Sequence, residues 1–248
     1  MKTRRAIVGA LSVATIALHA APALAAPAPP PTSPIELVIV LGVIGLLPFA
    51  FMTLTAFVKI STVLQIVRGA IGAQNVPSNV IVMALAGSLT LLAMAPLGSR
   101  LLDRSAPVLD DAANRPTSVW VIELLQAVRE PVRDFLRANG STRERGRFFD
   151  VARAAREPAD RASVGRDDLV VLVPAFVITE LVEAFALGFA LYLPFLVIDL
   201  VIANVLLALG MQMLNPTQVS LPFKLLLFVA VDGWGLLSEA LVTGYRLG

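Results

Sequence analysis

Charged side chains interrupt the apolar last third of this chain, among them Glu180, Glu183, Asp199, Lys224 and Asp232. An ionised group at bilayer depth costs on the order of 2.5–3.5 kcal/mol on insertion scales, so such groups face protein or water and find partners there. Glu180 and Glu183 are three apart, which puts both carboxylates on one helical face. That arrangement serves a polar contact between subunits, a pore lining or, on a shallow helix, a wet interface. Lys224, in Ser220-Leu221-Pro222-Phe223-Lys224, either snorkels to an interface or pairs with Glu180, Glu183 or Asp199 of the same or a neighbouring copy. Gly210-Met211-Gln212-Met213-Leu214-Asn215-Pro216 separates the last two apolar stretches. Methionine is flexible and polarizable. Several copies aiming Met211 and Met213 at one axis would form a soft apolar gasket; the plainer reading is packing in a helix turn.

Little else in the chain suggests chemistry. There is no Cys, and the only His is His19, in a segment expected to be removed. Thiolate chemistry is impossible, and histidine catalysis or ligation is nearly excluded for a mature chain. Gly69 to Gly72 has no Walker lysine after it, so it is not a phosphate loop. No enzyme and no cofactor are expected. A proton relay through Glu180, Glu183 and Asp199 would suit a transporter, but the internal hydropathy repeat usual in transporters is missing. An Asp199–Asp232 dyad would suit a membrane hydrolase, but the flanking residues lack the pattern of such enzymes.

Composition puts the chain among membrane proteins: 57% hydrophobic, 15% charged, with a mean hydropathy of +0.80. The net charge of +2 is too small to point to nucleic acid. Residues 99–168 hold 13 of the 20 Lys and Arg and 12 of the 18 Asp and Glu. The chain is thus two apolar blocks, 35–98 and 169–248, around a charged and nearly neutral one.

Residues 1–25 have the form of a secretory signal: Lys2, Arg4 and Arg5, a short apolar core from Ala6 to Leu18, then Ala23-Leu24-Ala25. Residues 26–34 form a Pro-rich spacer. The first apolar run, 35–58, is interrupted by Pro48, and a short polar segment to about residue 77 carries Lys59 and Arg68. A second run covers 78–98. Within 99–168, apolar residues at three- and four-residue spacing predict a helix over 119–138. A second helix through Phe148, Phe149 and Val151 is expected, capped by Thr142. Residues 169–214 are too long for one span and are expected to break near Gly188 or Pro194; 219–242 is the last run. This makes an all-α membrane protein with four spans, or five apolar helices. The positive-inside rule makes the loop with Lys59 and Arg68 cytoplasmic and leaves 99–168 outside, in a bacterial inner membrane.

The stretch VPAFVITELVEAFALGFALYLPFLVIDLVIANVLLALGMQML, followed by SLPFKLLLFVAVDGW, resembles the FliP/SctR (YscR, HrcR) family of type III secretion export proteins. AFVKISTVLQIVRGAIGAQNVPSN and MAPL extend the likeness, which covers residues 37 to 242. The resemblance implies a pore subunit present in several copies. Its expected partners are two smaller SctS- and SctT-type membrane proteins, a large export-gate protein and unfolded secreted substrates. It also implies that the hairpins sit largely above the plane hydropathy suggests, so that Glu180, Glu183, Asp199, Lys224 and Asp232 face neighbouring subunits. Met211, Gln212 and Met213 would then form the gasket. The family usually has three methionines there; Gln212 either hydrogen-bonds across the constriction or faces away, and Asn215 stands where Pro is common. FVKIS and FLRANGSTRERGRFF favour the injectisome branch over the flagellar one.

Overall fold

The computed structural model describes residues 34–73, 77–111 and 116–245. The expected signal and almost all of the Pro-rich spacer lie outside them. The helices are α1 (Pro34–Leu54), α2 (Phe57–Ile71), α3 (Asn79–Asp110), α4 (Thr117–Asn139), α5 (Thr142–Ala154), α6 (Leu169–Ala208), α7 (Pro216–Ala230) and α8 (Gly233–Thr243), with a 3₁₀ turn at Arg161–Ser163. No strand occurs among the described residues, so the chain is all-α. Three helices, α1, α3 and α6, are long and apolar enough to cross a membrane. The pair α7 and α8, bent by 58°, makes a fourth candidate if taken as one span.

Helix α2 is the centre of the molecule. Ile60, Val63, Leu64, Val67 and Ile71 recur at helical spacing and are buried against α3 and α6. The segment expected as a polar loop is therefore a core helix, because its apolar stripe outweighs Lys59 and Arg68. Gly72, at φ 77°, ends it by donating its N–H to the Arg68 carbonyl. Arg68 lies in the last turn, where a cation suits the helix dipole.

Prolines, including Pro48 and Pro194 where breaks were expected, do not interrupt the apolar helices. Helix α1 continues through Pro48, α3 through Pro96 and Pro107, and α6 through Pro174 and Pro194. Each proline removes one backbone hydrogen bond, whereas breaking a helix in an apolar setting would strand several polar groups. Helix α3 consequently runs across the change of composition at residue 98/99. The 40 residues of α6 extend roughly 60 Å at 1.5 Å per residue, twice a hydrocarbon core of about 30 Å.

Gly188 also fails to break α6. A Cβ there would stand 2.5 Å from Ile66 Cδ1 and 3.0 Å from Ile66 Cγ2, so this glycine lets α2 and α6 approach closely. The actual stop is Gly210, at φ 72°. Its N–H bonds the Leu207 carbonyl at 3.0 Å, and Met211 N–H bonds the Leu206 carbonyl at 2.9 Å, the paired bonds of a Schellman ending.

The charged middle block is largely helical and packs on the apolar core. Phe135 and Leu136 of α4 are buried, Phe135 edge-on to Phe176 of α6 with centroids 5.5 Å apart. The cap of α5 is Ser141 rather than Thr142: its hydroxyl accepts from Arg143 N–H at 3.3 Å. The Ser141 N–H in turn donates to Thr179 Oγ1 of α6 at 3.0 Å. A cap bonded across to another helix fixes the start of α5 more firmly than the local pattern at Thr142 suggests.

Gly188→Ala is expected to lower stability by about 1–3 kcal/mol through overpacking against the β-branched Ile66. Ile66→Ala in the same chain should recover part of the loss. Thermal unfolding in detergent measures both, and an unchanged midpoint for Gly188→Ala would contradict the close approach.

Candidate functional site

The charges that interrupt the apolar helices are gathered into two clusters, one near each end of α2. At its start, Lys59 Nζ lies 2.6 Å from Glu183 Oε2 and 3.1 Å from Glu180 Oε1. Lys59 and Glu180 are buried, whereas the Glu183 side chain is half exposed. The Lys59–Glu180 contact has ion-pair distance, but Oε1 makes no aligned hydrogen bond. The Tyr245 hydroxyl donates to Glu180 Oε2 and lies 3.4 Å from the Ala56 carbonyl. Lys59 Nζ also sits 4.6 Å from the Tyr245 ring centroid, within cation–π range. Burial, and then the nearby Glu180 carboxylate, push the Tyr245 phenol pKa upward. It stays protonated and acts as a donor.

At the other end of α2, Lys224 Nζ of α7 lies 2.6 Å from Asp199 Oδ2 of α6 and donates to the Ala70 carbonyl of α2 at 3.1 Å. Ser220 Oγ, one helical turn before Lys224, donates to Asp199 Oδ1. Lys224 is 2% exposed. Its ammonium thus serves one of the carbonyls that a helix end leaves without an intrahelical donor, where the dipole also favours a cation.

Of the open alternatives, Lys224 takes Asp199, while Glu180 and Glu183 take Lys59. Lys59 was expected in a cytoplasmic loop, but it is a buried helical partner and does not count toward a loop's positive charge. The charges read as contacts between subunits are, for Glu180, Asp199 and Lys224, paired inside one chain. Asp232 stands apart. It is exposed at the bend between α7 and α8, with φ 51°, a left-handed conformation that Asp tolerates better than most residues.

Met211, Gln212 and Met213 form the tip of the α6–α7 hairpin, and all three are exposed, Met213 fully. Asn215 caps α7, its side chain accepting from Thr217 N–H at 3.0 Å. That role suits Asn where Pro is common. Sequence reading missed Ser220 and Tyr245 as partners. The four-residue step from Ser220 to Lys224 was a readable sign for the first. Nothing local marks Tyr245, 65 residues beyond Glu180.

Lys59→Met should cost about 3–5 kcal/mol, because it leaves Glu180 buried without its cation. The double variant Lys59→Met/Glu180→Gln should recover most of that. Denaturant titration of helicity in detergent would test this; equal losses for the single and double variants would show that the pair is not coupled.

The model of the FliP family matches residues 40–241. The chain is 45% identical to the hypersensitivity response secretion protein HrcR of Ralstonia nicotianae, over 85% of this chain and 97% of that protein. It is 42% identical to the Yop proteins translocation protein R of Yersinia pestis, over 85% and 96%. With the flagellar biosynthetic protein FliP of Caulobacter vibrioides it shares 40% identity, over 86% and 77%. The long apolar helices and this match together make the chain a membrane protein that belongs to the FliP family of type III secretion core export proteins.

Proposed function

We propose that several copies of this chain assemble with two smaller SctS- and SctT-type membrane proteins into a pore. It sits above a large export-gate protein and passes unfolded secreted proteins across the bacterial inner membrane. The chain acts as a conduit rather than a catalyst. The charged middle segment, 99–168, lies on the extracytoplasmic side.

The observation that carries this reading is the hairpin tip. A chain that buries Lys224 and Glu180 leaves Met211 and Met213 without a covering partner, on a loop raised about 16 Å beyond Asp199 (eleven residues of mostly helical rise). Brought to a common axis by symmetry, such tips would close an irregular gap with soft side chains. Gln212 either bonds across that constriction or faces away from it. The Glu180, Asp199 and Lys224 charges have partners within the chain; Glu183, half exposed beside Lys59, and the exposed Asp232 still have surface to offer a neighbouring subunit.

The injectisome branch is favoured over the flagellar one. Supporting it, the chain is 45% and 42% identical to the plant-pathogen and Yersinia relatives and 40% identical to the flagellar one. Rescue of secretion in an injectisome-deficient strain, with no rescue of motility in a flagellar one, is the expected outcome; the reverse would reassign the branch.

Co-expression with the neighbouring reading frames, mild-detergent purification and native mass spectrometry should yield a multi-copy complex with two small membrane partners. A stable monomer alone would overturn the reading. Within that complex, Met211→Ala/Met213→Ala should raise leakage of small solutes through the closed pore, and unchanged membrane conductance would remove the gasket. Alanine at Glu180, Asp199 or Lys224 breaks a pair inside the chain and so disturbs the surface it offers to neighbours; it should weaken assembly more than insertion, as native gels against membrane fractions would read.

A further inference from the structure

Helix α7 turns a single narrow stripe toward the rest of the molecule. Its buried residues are Ser220, Lys224 and Phe228, one per turn. Phe228 packs between Phe195 of α6 and Trp234 of α8, with centroids 6.3 and 5.1 Å away. The other two inward positions are polar, and both bind Asp199. Lys224 alone reaches a third helix, through the Ala70 carbonyl. Flanking α7 residues such as Phe223, Leu226 and Val229 are exposed. In the half of α7 nearer the methionine loop, Leu221 packs partly against the core, but the two fully turned-in positions, Ser220 and Lys224, are held by directional bonds.

Apolar stripes allow a helix to slide by a turn at small cost, because one aliphatic contact resembles the next. A buried charge with one acid and one carbonyl in reach does not. Single buried polar groups are known to fix register in helical assemblies, often with no gain in stability. We infer that the Asp199–Ser220–Lys224–Ala70 cluster is a register key: it sets the axial position of α7 against α2 and α6, and with it the height of the Met211–Met213 loop. Its bearing on export rests on the pore reading, but the register itself is a property of one chain and can be measured without any transport assay. On this account Asp199, Ser220 and Lys224 are positioning residues for the methionine loop.

The absence of cysteine makes the full-length chain ready for site-directed spin labelling. Gln65→Cys on α2 with Met213→Cys reports the height of the loop. Gln65→Cys with Val182→Cys reports the packing of α2 on α6. All three positions are exposed. Labelled chain in detergent, diluted with unlabelled chain so that only intramolecular pairs register, is read by pulsed dipolar spectroscopy. In Lys224→Met, the 65–213 distance should shift by about one helical turn, ~5 Å, or broaden by as much, while 65–182 stays unchanged. An unchanged 65–213 distribution overturns the proposal. Should Lys224→Met disturb both pairs, the near-isosteric Asp199→Asn decides. Broadening of 65–213 alone supports the key, and no change in 65–213, or an equal change in both pairs, rejects it.

Discussion

A charge that enters an apolar helical body must find a partner there, and this constraint organises the protein. Four ionisable side chains, Lys59, Glu180, Asp199 and Lys224, lie wholly or largely inside a chain whose helices are otherwise mostly aliphatic. They form two compact clusters rather than a dispersed set. Both clusters close on α2, one at each end, so the helix with the densest apolar core is also the one clamped by polar bonds. The low dielectric around them strengthens each pairing and raises the cost of losing one partner.

The clamps explain how a 40-residue helix can be part of a defined structure. The burial of α6 is concentrated in its first half, where Leu172, Phe176 and Ala184 meet the core and Glu180 meets Lys59. Beyond Phe195, Leu206 is the one buried residue of α6. The far half is tied back through Asp199 to α7 and, through Lys224, to α2. Close approach at Gly188 and a polar tie at Asp199 thus divide the work: the first lets two helices touch, the second fixes where a third one sits.

A large apolar surface remains uncovered on α6 and α7, including Phe185, Phe189, Leu200, Leu226 and Val229. A soluble monomer rarely exposes so much. A helix of roughly 60 Å exceeds the hydrocarbon thickness, so lipid can cover only part of that surface. This fits a chain that completes its packing among other membrane proteins, as expected for a core export protein.

Much of this was legible beforehand. Hydropathy and charge content determined the membrane class and the all-α architecture, because both follow from local composition and period. Residue patterns in the last third identified the family. The Met211–Met213 turn was readable as a turn, since Gly210 and Asn215 carry local signals for ending and starting helices. Partner choice was not legible. Lys224 had three acids within plausible reach, and Lys59 read as a loop charge because its burial depends on α6, more than 100 residues away. The breaks expected at Pro48, Gly188 and Pro194 were local preferences that tertiary packing overrode: one lost hydrogen bond costs less than an exposed helix end, and a glycine facing Ile66 is a contact rather than a gap. Tertiary structure alone decided which charge meets which, because an ion pair is set by distance in space, and spacing along the chain reveals that only within a single helix.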